Sequence, residues 1–318
     1  MAINTIHFEH DGKAQWGVVR DGVITPIDGD YPTTAAFVAA FADNLNTLEI
    51  LSGGTLKESD VTLLSPITRS SRFVCQGANY RQHMIESGMN PDDKNFNMIF
   101  TKATSCIAPA DTDVIRPKEV SLLDYEVELG IVMRQDIAGP QHVTADNLGD
   151  YIAGITIVND VSARDIQVPQ MQFYKGKSYR TFGPCGPYLC LLTHDEASLV
   201  EQLDLKLTVN GETRQCDNTA NLVFKPAETL TELSGVQDFA VGDLIATGTP
   251  AGCALSAPSA GIQKIAGLLP ESKKWEMFLK MQAKRTQYLQ PGDVMETTIK
   301  SADGTIDLGL QRNTIVAG

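Results

Sequence analysis

No stretch of about 18 consecutive apolar residues occurs in this chain of 318 residues, so the sequence offers no candidate for a membrane-spanning helix. Its first residues show no basic region followed by an apolar core, which argues against a secretory signal. Basic residues are in the minority: 26 Lys and Arg accompany 39 Asp and Glu, for a net charge of −13. Proteins that bind nucleic acid or anionic membranes need clustered basic residues. We therefore expect a cytoplasmic protein with neither of these partners.

Closely spaced cysteines are missing as well. The six cysteines are scattered along the chain, and no CxxC pair occurs among them. In a chain of this length, such a distribution is typical of reduced, mostly buried thiols rather than of disulfides or a zinc site.

The first part of the chain is predicted to be rich in β-structure. Three Asp-Gly pairs separate its short strand-like runs, at residues 11–12, 21–22 and 28–29. Such pairs are typical of hairpin turns. Residues 33–51 then carry apolar side chains near a 3.6-residue period, which predicts a helix. Because Pro66 and polar neighbours indicate a linker, we predict a small N-terminal β-rich domain over residues 1–68 and a larger domain over residues 69–318.

The larger domain contains many short strand candidates separated by Gly, Pro and Asn turns. Helical candidates are fewer, and they fall at 79–88, 144–149, 196–202, 226–234 and 261–289. Strands do not alternate with long helices, which argues against a doubly wound sheet. The pattern predicts a mostly β fold with peripheral helices, of the α+β class.

The segment LLDYEVELGIVM, residues 122–133, carries three carboxylates in a predicted strand. Side chains alternate between the two faces of a strand, so Asp124, Glu126 and Glu128 share one face. Like charges at this spacing, roughly 7 Å apart, repel each other unless something compensates them. Either this face lies in water or a cation is bound to it.

A further acid follows in GITIVNDVSARDIQ, residues 154–167, where Asp160 stands between an apolar strand and a polar turn. From there it can reach a neighbouring strand. Together with Glu126 and Glu128 it would offer three carboxylate oxygens, which suit Mg²⁺, Mn²⁺ or Ca²⁺ better than zinc. The alternative is a solvated strand face for the two glutamates and a turn-capping role for Asp160.

A second polar cluster lies in GANYRQHMIESGM, residues 77–89. If this segment is helical, His83 and Glu86 lie at i, i+3 on one face. A neighbouring carboxylate raises the pKa of a histidine and fixes its tautomer, as suits a general base. A surface His–Glu pair without a function is the alternative.

Two loops add further polar groups. KGKSYRTFGPCGPYL, residues 175–189, places basic side chains beside a rigid turn that would hold an anionic substrate or simply lie in water. GDLIATGTPAG, residues 242–252, ends a strand in a Gly-rich turn. Its hydroxyls and backbone N–H groups suit the stabilisation of an oxyanion, and bare turn geometry is the alternative.

In combination, seven ordered motifs resemble the fumarylacetoacetate hydrolase superfamily from about residue 70 to the C-terminus. They are GANYRQHMIE, DYEVELGIV, IVNDVSARDIQ, GKSYRTFGPCGP, VNGETRQCDNTANLVF, GDLIATGTPAG and PGDVMETTI. The resemblance implies a mixed β-roll catalytic domain, often preceded by a small N-terminal β domain and usually part of a homodimer. It also implies a divalent metal, Mg²⁺ or Mn²⁺, held by acids, for which Ca²⁺ can substitute in crystals.

The resemblance further implies roles for individual residues. The metal ligands would be Glu126, Glu128 and Asp160. The catalytic residues would be His83, Glu86 and Lys177, the last reaching the metal site. The substrate-binding residues would be Arg164, Gln167 and Thr249. Asp124 falls outside the ligand set, and we expect it at the edge of the site or in solvent.

The activity implied by this resemblance is metal-dependent hydrolysis of a C–C bond in a β-diketo acid such as an acylpyruvate. In this reaction His83, oriented by Glu86, activates a water molecule. The enzymatic alternatives are a decarboxylase of oxaloacetate-like 2-oxo acids and an isomerase of aromatic catabolism. A non-catalytic protein that binds a small molecule on the same fold is the alternative from another class.

Two departures from the family pattern bear on specificity. Arg180 stands where many members carry an acid, and it either changes the charge near the substrate or lies outside the pocket. The segment 253–290 is longer than in typical members. Its stretch SKKWEMFLKMQAKR predicts an amphipathic helix that would cover the site, pack on a dimer partner, or do neither.

Overall fold

Short strands dominate the computed structural model, which describes residues 2–257 and 267–318. The strands in this part of the chain are β1 (Ile3–His10), β2 (Lys13–Arg20), β3 (Val23–Pro26), β4 (Leu56–Lys57), β5 (Thr62–Leu64), β6 (Phe73–Gly77), β7 (Met98–Thr101), β8 (Ile107–Ala108), β9 (Val114–Arg116), β10 (Leu123–Asp124), β11 (Val127–Met133), β12 (Ile152–Asn159), β13 (Ser162–Ala163), β14 (Gly183–Pro184), β15 (Tyr188–Leu191), β16 (Leu203–Val209), β17 (Glu212–Asn218), β18 (Leu244–Ala246), β19 (Val294–Ser301) and β20 (Asp307–Ala317).

Helices are fewer and lie between the strands. The α-helices of the described residues are α1 (Thr34–Phe41), α2 (Leu45–Glu49), α3 (Arg81–Glu86), α4 (Arg164–Gln167), α5 (Phe173–Lys177), α6 (Pro226–Ser234) and α7 (Glu271–Gln282). Short 3₁₀ helices occupy Glu58–Asp60, Thr104–Cys106, Leu148–Asp150, Asp195–Glu201 and Thr219–Asn221. Among the described residues, no helix is both long enough and apolar enough to cross a membrane.

The largest sheet has eleven strands, in the order β4-β3-β2-β1-β15-β12-β11-β18-β6-β7, with β5 also paired to β1. Antiparallel pairing of β1 with β15 joins the N-terminal strands to the rest of this sheet. A five-stranded sheet in the order β17-β16-β19-β20-β9 packs across β11 and β12. The two strands that carry the acidic motifs therefore lie between protein layers.

Burial follows from this layering. All residues of β11 and β12 are buried, as is the whole segment 122–133. The alternative that the three carboxylates lie on a water-exposed strand face is therefore wrong. Arg164, Lys177 and the backbone of Gly248 lie on the side that the polar residues occupy, and alternation alone cannot distinguish such protein neighbours from solvent.

The predicted fold class is confirmed: within residues 2–257 and 267–318, strands make up 34% and helices 22%, and the sheets do not close into a barrel. The single helix predicted over 33–51 is wrong in detail, since α1 and α2 divide it. The helices predicted at 144–149 and 196–202 form short 3₁₀ helices instead. Of the helix predicted over 261–289, the structure contains α7, whereas residues 261–266 lie outside the described residues.

The six cysteines are free and five of them are buried. The division at residue 68 stays a prediction.

Candidate metal centre and active site

Three buried carboxylates converge where β11 begins and β12 ends. The antiparallel register places Val127 opposite Asn159, so the residues just before and just after this pair are neighbours. The Asp160 N–H donates to the Glu126 carbonyl at 2.9 Å. One carboxylate oxygen from each of Glu126, Glu128 and Asp160 lies within 4.8 Å of the others. The structure therefore brings together all three residues for which the sequence suggested a metal-binding role.

Lys177, at the end of α5, lies among these acids. Its ammonium donates to Glu126 Oε2 at 2.5 Å, to Asp160 Oδ2 at 2.6 Å and to Ser162 Oγ at 2.8 Å. These three bonds use all the protons of the ammonium group. Lys177 can therefore donate to a substrate oxygen only if it gives up one of these partners.

A second buried ammonium, that of Lys102, was missed in the sequence. It donates to Asp160 Oδ1 and, at 2.7 Å, to the Phe182 carbonyl, and it lies 5.7 Å from the centre of the Phe73 ring. The signal was a single lysine directly after the apolar strand β7. The Lys102 side chain is fully buried, and its charge requires a buried partner, because an unpaired charge there would be costly.

Arg164, the first residue of α4, links the acids on either side of Tyr125. Its Nε donates to Asp124 Oδ2 at 2.8 Å, Nη2 donates to Glu126 Oε1, and Nη1 donates to Gln167 Oε1 at 2.8 Å. The side chain is almost fully buried. In this arrangement the guanidinium is committed to protein partners rather than to the open cavity.

Asp124 does not lie in solvent as one of the two sequence-based expectations had it. Its carboxylate is completely buried and accepts the backbone N–H groups of Tyr125, Ala254 and Leu255 at 2.9, 2.7 and 2.9 Å. Two of these donors, Ala254 and Leu255, come from a loop about 130 residues away, which no local pattern could indicate. Asp124 therefore anchors the start of the segment 253–290 beside the acid cluster.

The electrostatics of the cluster differ between its two glutamates. Burial alone would raise the pKa of Glu126, but the positive charges of Arg164 and Lys177 outweigh it and lower the pKa to about 2. Burial, together with the charges of Asp160 and Glu126, raises the pKa of Glu128 well above its ordinary value. For Lys177, burial acts to lower the pKa, yet Asp160 and Glu126 raise it overall.

Glu128 provides the test of whether these residues suit a metal ion. Its Oε2 accepts the Gly248 N–H at 3.0 Å, and no cationic side chain of the described residues lies within ion-pair distance of it. In its ionised form, Glu128 thus adds buried negative charge that the neighbouring lysines do not pair. Mg²⁺ and Mn²⁺ prefer such oxygen ligands, so the donor set fits a hard divalent cation.

His83 and Glu86 of α3 line the same cavity as the two glutamates. Burial lowers the pKa of His83, against the raising effects of Glu126 and Glu86, so the imidazole is neutral near pH 7. Glu86 is exposed, and no hydrogen bond between the two side chains occurs in the described structure. The structure places the pair at the cavity, and its catalytic role stays a prediction.

The three residues expected to contact substrate also line the cavity. Gln167 is held by Arg164, as described above. The Thr249 hydroxyl donates to the Val127 carbonyl at 3.0 Å and accepts from Gln215 Nε2 at 2.8 Å. Because its one proton is already used, Thr249 can offer a substrate an acceptor lone pair but not a hydroxyl donor.

The structure separates the alternatives left open for the two departures from the family pattern. Arg180 is exposed and is not among the residues that line the cavity, so its charge lies outside the pocket. In contrast, α7 contributes Trp275, Met277 and Phe278 to the cavity wall. Within the segment 253–290, the described helix therefore covers the site.

Comparison with known proteins agrees with this geometry. A family model described as fumarylacetoacetate (FAA) hydrolase, C-terminal, matches residues 72–316. Oxaloacetate tautomerase YisK of Bacillus subtilis is 37% identical over 198 residues, which cover 61% of this chain and 64% of that protein. The mitochondrial oxaloacetate tautomerase FAHD2A of Homo sapiens is 38% identical over 200 residues, which cover 62% of this chain and 61% of that protein. The match thus spans less than two thirds of the length of these curated relatives.

Solved structures match over nearly the whole chain. A fumarylacetoacetate hydrolase (EaFAH) from psychrophilic Exiguobacterium antarcticum has a TM-score of 0.74 at 28% identity, covering 99% of this chain and 100% of that chain. A structure described as a "probable 2-hydroxyhepta-2,4-diene-1,7-dioate isomerase" from Mycobacterium abscessus has a TM-score of 0.73 at 27% identity, covering 100% of this chain and 99% of that chain. Since the family model accounts for most of its residues, this chain belongs to the fumarylacetoacetate hydrolase family.

Proposed function

We propose that this chain is a divalent-metal-dependent enzyme that hydrolyses a C–C bond in a β-diketo acid of the acylpyruvate type. The observation that supports this proposal is the convergence of Glu126, Glu128 and Asp160 at a cavity that His83 also lines. The three carboxylates suit a cation, and His83 suits a general base. An exposed acidic patch or a simple binding pocket requires neither arrangement.

Glu126, Glu128 and Asp160 would hold the cation. When bound, Mg²⁺ or Mn²⁺ polarises the carbonyl oxygens of a 2-oxo acid and so makes a neighbouring carbanion more stable. A bound cation also compensates the buried charge of Glu128, which the lysines leave unpaired. Ligand oxygens alone do not distinguish Mg²⁺ from Mn²⁺.

The residues of the chain supply the proton transfers. Neutral His83 accepts a proton from water, and the resulting hydroxide adds to the distal carbonyl of the substrate. The bond between that carbon and C3 then breaks, and its electron pair forms the enolate of pyruvate. His83 returns the proton to C3, which gives pyruvate and a carboxylic acid. The Lys177 ammonium, once released from one acid, donates to the enolate oxygen.

A second candidate is the keto–enol interconversion of oxaloacetate, without cleavage. Two observations favour it: relatives that are 37% and 38% identical are named oxaloacetate tautomerases, and the same base and cation would serve the proton transfer. The two candidates differ only in whether His83 deprotonates water or the substrate carbon. Decarboxylation of a 2-oxo acid and isomerisation would start from the same enolate.

Product analysis tests the proposal. Acylpyruvates and oxaloacetate are incubated with the protein and Mn²⁺, with EDTA in parallel, and followed by ¹H NMR. Pyruvate and a carboxylic acid in equal amounts, abolished by EDTA, are the expected result. Enol–keto exchange without fragments would instead establish the tautomerase, and CO₂ without a carboxylic acid the decarboxylase. Metal-dependent binding without any reaction would favour a non-catalytic binding protein.

Assembly is a separate proposal. The family resemblance implies a homodimer, which light scattering coupled to size-exclusion chromatography would test on the 34.5 kDa chain. A mass twice that of the chain is expected, and a mass equal to that of the chain would contradict it.

A further inference from the structure

The cavity above the acid cluster has a polar inner part and an apolar outer part. Its inner part contains Glu126, Glu128 and Lys177. Its outer part is apolar and largely aromatic, formed by Met98, Phe173, Trp275, Phe278 and Met281, and the Phe100 ring, 5.2 Å from the Lys177 ammonium, lies between the two parts. Oxygen ligands and an ammonium suit the 2-oxo acid end of a substrate. The apolar outer part offers no comparable partners for the 2-oxo acid end.

The cavity is also larger than a small oxo acid requires. Its volume is about 550 Å³. Water occupies about 30 Å³ per molecule in the liquid, and a pyruvyl group amounts to only a few such volumes. Cavities of about 300–1,000 Å³ are typical of sites for much larger ligands. A substrate that fills this cavity therefore extends well beyond its 2-oxo acid end.

The charges of the lining indicate that this extension is uncharged. Arg164 and Lys177 are committed to buried acids, and His83 is neutral near pH 7. Among the described residues that line the cavity, Lys274 is the remaining cationic side chain, and its ammonium lies 4.4 Å from the centre of the Trp275 ring. A distal carboxylate would thus find one partly exposed lysine among mostly apolar neighbours.

Helix α7 presents two different faces. Trp275 and Phe278 lie at i, i+3 on the side that faces the cavity, with their rings in an edge-to-face arrangement 6.1 Å apart. The outer side carries Lys273, Glu276 and Lys280, which form exposed ion pairs. Both aromatic side chains are only half-buried, so an apolar group bound in the cavity would remove further apolar surface from water.

Contacts at the C-terminal end of α7 hold it in this position. Gln282 Nε2 donates to the Ser256 carbonyl at 2.9 Å, and the Tyr288 hydroxyl donates to Gln282 Oε1 at 2.8 Å. Arg285 Nε donates to the Ala254 carbonyl at 2.7 Å. The helix is thereby fixed to the loop that Asp124 anchors beside the acid cluster.

We propose that the substrate is a 2-oxo acid with an uncharged, apolar distal group of about the size of a phenyl ring, and that Trp275 and Phe278 select this group. The proposal rests on the proposed function for the position of the 2-oxo acid end. It assigns specificity to a helix within a segment that is longer than the family pattern.

Binding of unreactive analogues tests this proposal separately from catalysis. Oxamate, N-phenyloxamate and N-oxalylglycine share the head group of a 2-oxo acid and differ in carrying no distal group, an apolar one or a carboxylate. Each is titrated by calorimetry into the Mn²⁺-saturated protein. We expect N-phenyloxamate to bind at least tenfold more tightly than either of the others, since apolar pockets discriminate by about 10–200-fold per group.

Variants of α7 identify the residues responsible. Trp275→Leu and Phe278→Ala should each weaken N-phenyloxamate at least fivefold and change oxamate less than twofold. Leu279→Ala is the matched control, because Leu279 is on the same helix but does not line the cavity. It should leave the affinity for all three analogues unchanged.

The possible failures are distinguishable. If none of the three analogues binds, the proposed function fails, and the assignment of the substrate fails with it. If oxamate and N-phenyloxamate bind equally, or if both α7 variants weaken them equally, only the apolar distal group is refuted. Tightest binding of N-oxalylglycine, lost in Lys274→Met, would show that the distal group is an acid.

Discussion

Arg164 and Asp124 form a buried ion pair, with Nε 2.8 Å from Oδ2, and the same guanidinium also binds Glu126 of the acid cluster. Asp124 in turn accepts the N–H groups of Ala254 and Leu255. A single arginine thus connects a proposed metal ligand to the loop that leads towards α7. The wall of the cavity and the acids at its base are therefore held by the same pair of charges.

Replacing Asp124 with Asn tests the contribution of this pair. The change leaves Arg164 with one anionic partner and weakens the acceptor for the loop. Removing one partner of a buried pair costs about 3–5 kcal/mol of stability. We expect the free energy of unfolding, measured by urea denaturation, to fall by this amount. Asp92→Asn is the control, since Asp92 pairs with Arg81 at the surface, and it should leave stability unchanged. An Asp124 variant as stable as the unmodified protein would refute this role.

Glu126, which precedes β11, and Glu128, which lies in β11, should respond in opposite ways to replacement by Gln. Burial and two neighbouring acids disfavour the ionised form of Glu128, so Glu128→Gln, which stays neutral, should leave the metal-free protein at least as stable as the unmodified one. Glu126→Gln removes the partner of Arg164 and Lys177 and should cost about 3–5 kcal/mol. Urea denaturation in EDTA at pH 7 measures both. Equal destabilisation by the two variants would contradict the assignment of charges.

Metal binding by the same variants provides a further prediction. Loss of an outer-shell partner costs about 10–100-fold in metal affinity, and loss of a direct ligand should cost at least as much. We therefore expect Mn²⁺ affinity, measured by calorimetry, to fall by about 100-fold or more in Glu128→Gln. Glu276→Gln, at an exposed residue of α7, is the suitable control. A substitution such as Gln215→Glu is unsuitable, because Gln215 contacts Thr249 of the cavity wall. Unchanged Mn²⁺ binding in Glu128→Gln would exclude Glu128 as a ligand.

The convergence of the acids could be predicted from the sequence because it depends on local patterns. Glu126 and Glu128 precede or begin a strand, Asp160 follows one, and antiparallel pairing makes them neighbours. Local pattern also indicated that α3 would carry His83 and Glu86 on one side. Each of these inferences needs only the period of a strand or helix and a resemblance in short motifs.

What compensates those acids could not be predicted in the same way. Asp124 is held by residues about 130 positions later, and Lys102 reaches Asp160 across 58 positions. Such contacts depend on how loops and strands distant in sequence pack together, which the alternation of one strand does not encode. Alternation likewise could not reveal that the polar face of 122–133 packs on protein rather than on water. The position of α7 over the cavity depends on the same kind of long-range packing.

Lys102 should stabilise the site by pairing with Asp160 rather than by contacting substrate. It is fully enclosed and does not line the cavity. Lys102→Met keeps the length and apolar contacts of the side chain but leaves Asp160 short of one partner. We expect a loss of about 3–5 kcal/mol in the free energy of unfolding. Lys175→Met, at an exposed lysine in α5, is the control and should be neutral. If Lys102→Met matches this control, the buried pair contributes no stability.

The pH dependence of kcat/KM tests whether His83 is the base. Burial lowers the pKa of His83 below 6.5, so the imidazole is neutral at pH 7 and gains a proton as the pH falls through that lower value. Protonated His83 cannot accept another proton, and kcat/KM should therefore decline on the acid side with a midpoint below 6.5. Measured rates on the substrate identified by product analysis, from pH 4.5 to 8 in Mn²⁺, would locate this midpoint.

Protonation of the acid cluster would also reduce activity at low pH, and Glu86 separates the two causes. The negative charge of Glu86 raises the pKa of His83, although burial remains the larger effect. Glu86→Gln removes this charge, so the acid-side midpoint should move to lower pH. Asp93→Asn, at an exposed acid in the segment after α3, is the control and should leave the midpoint in place. A midpoint that both variants leave unchanged, together with substantial activity in His83→Asn, would show that another group takes the proton.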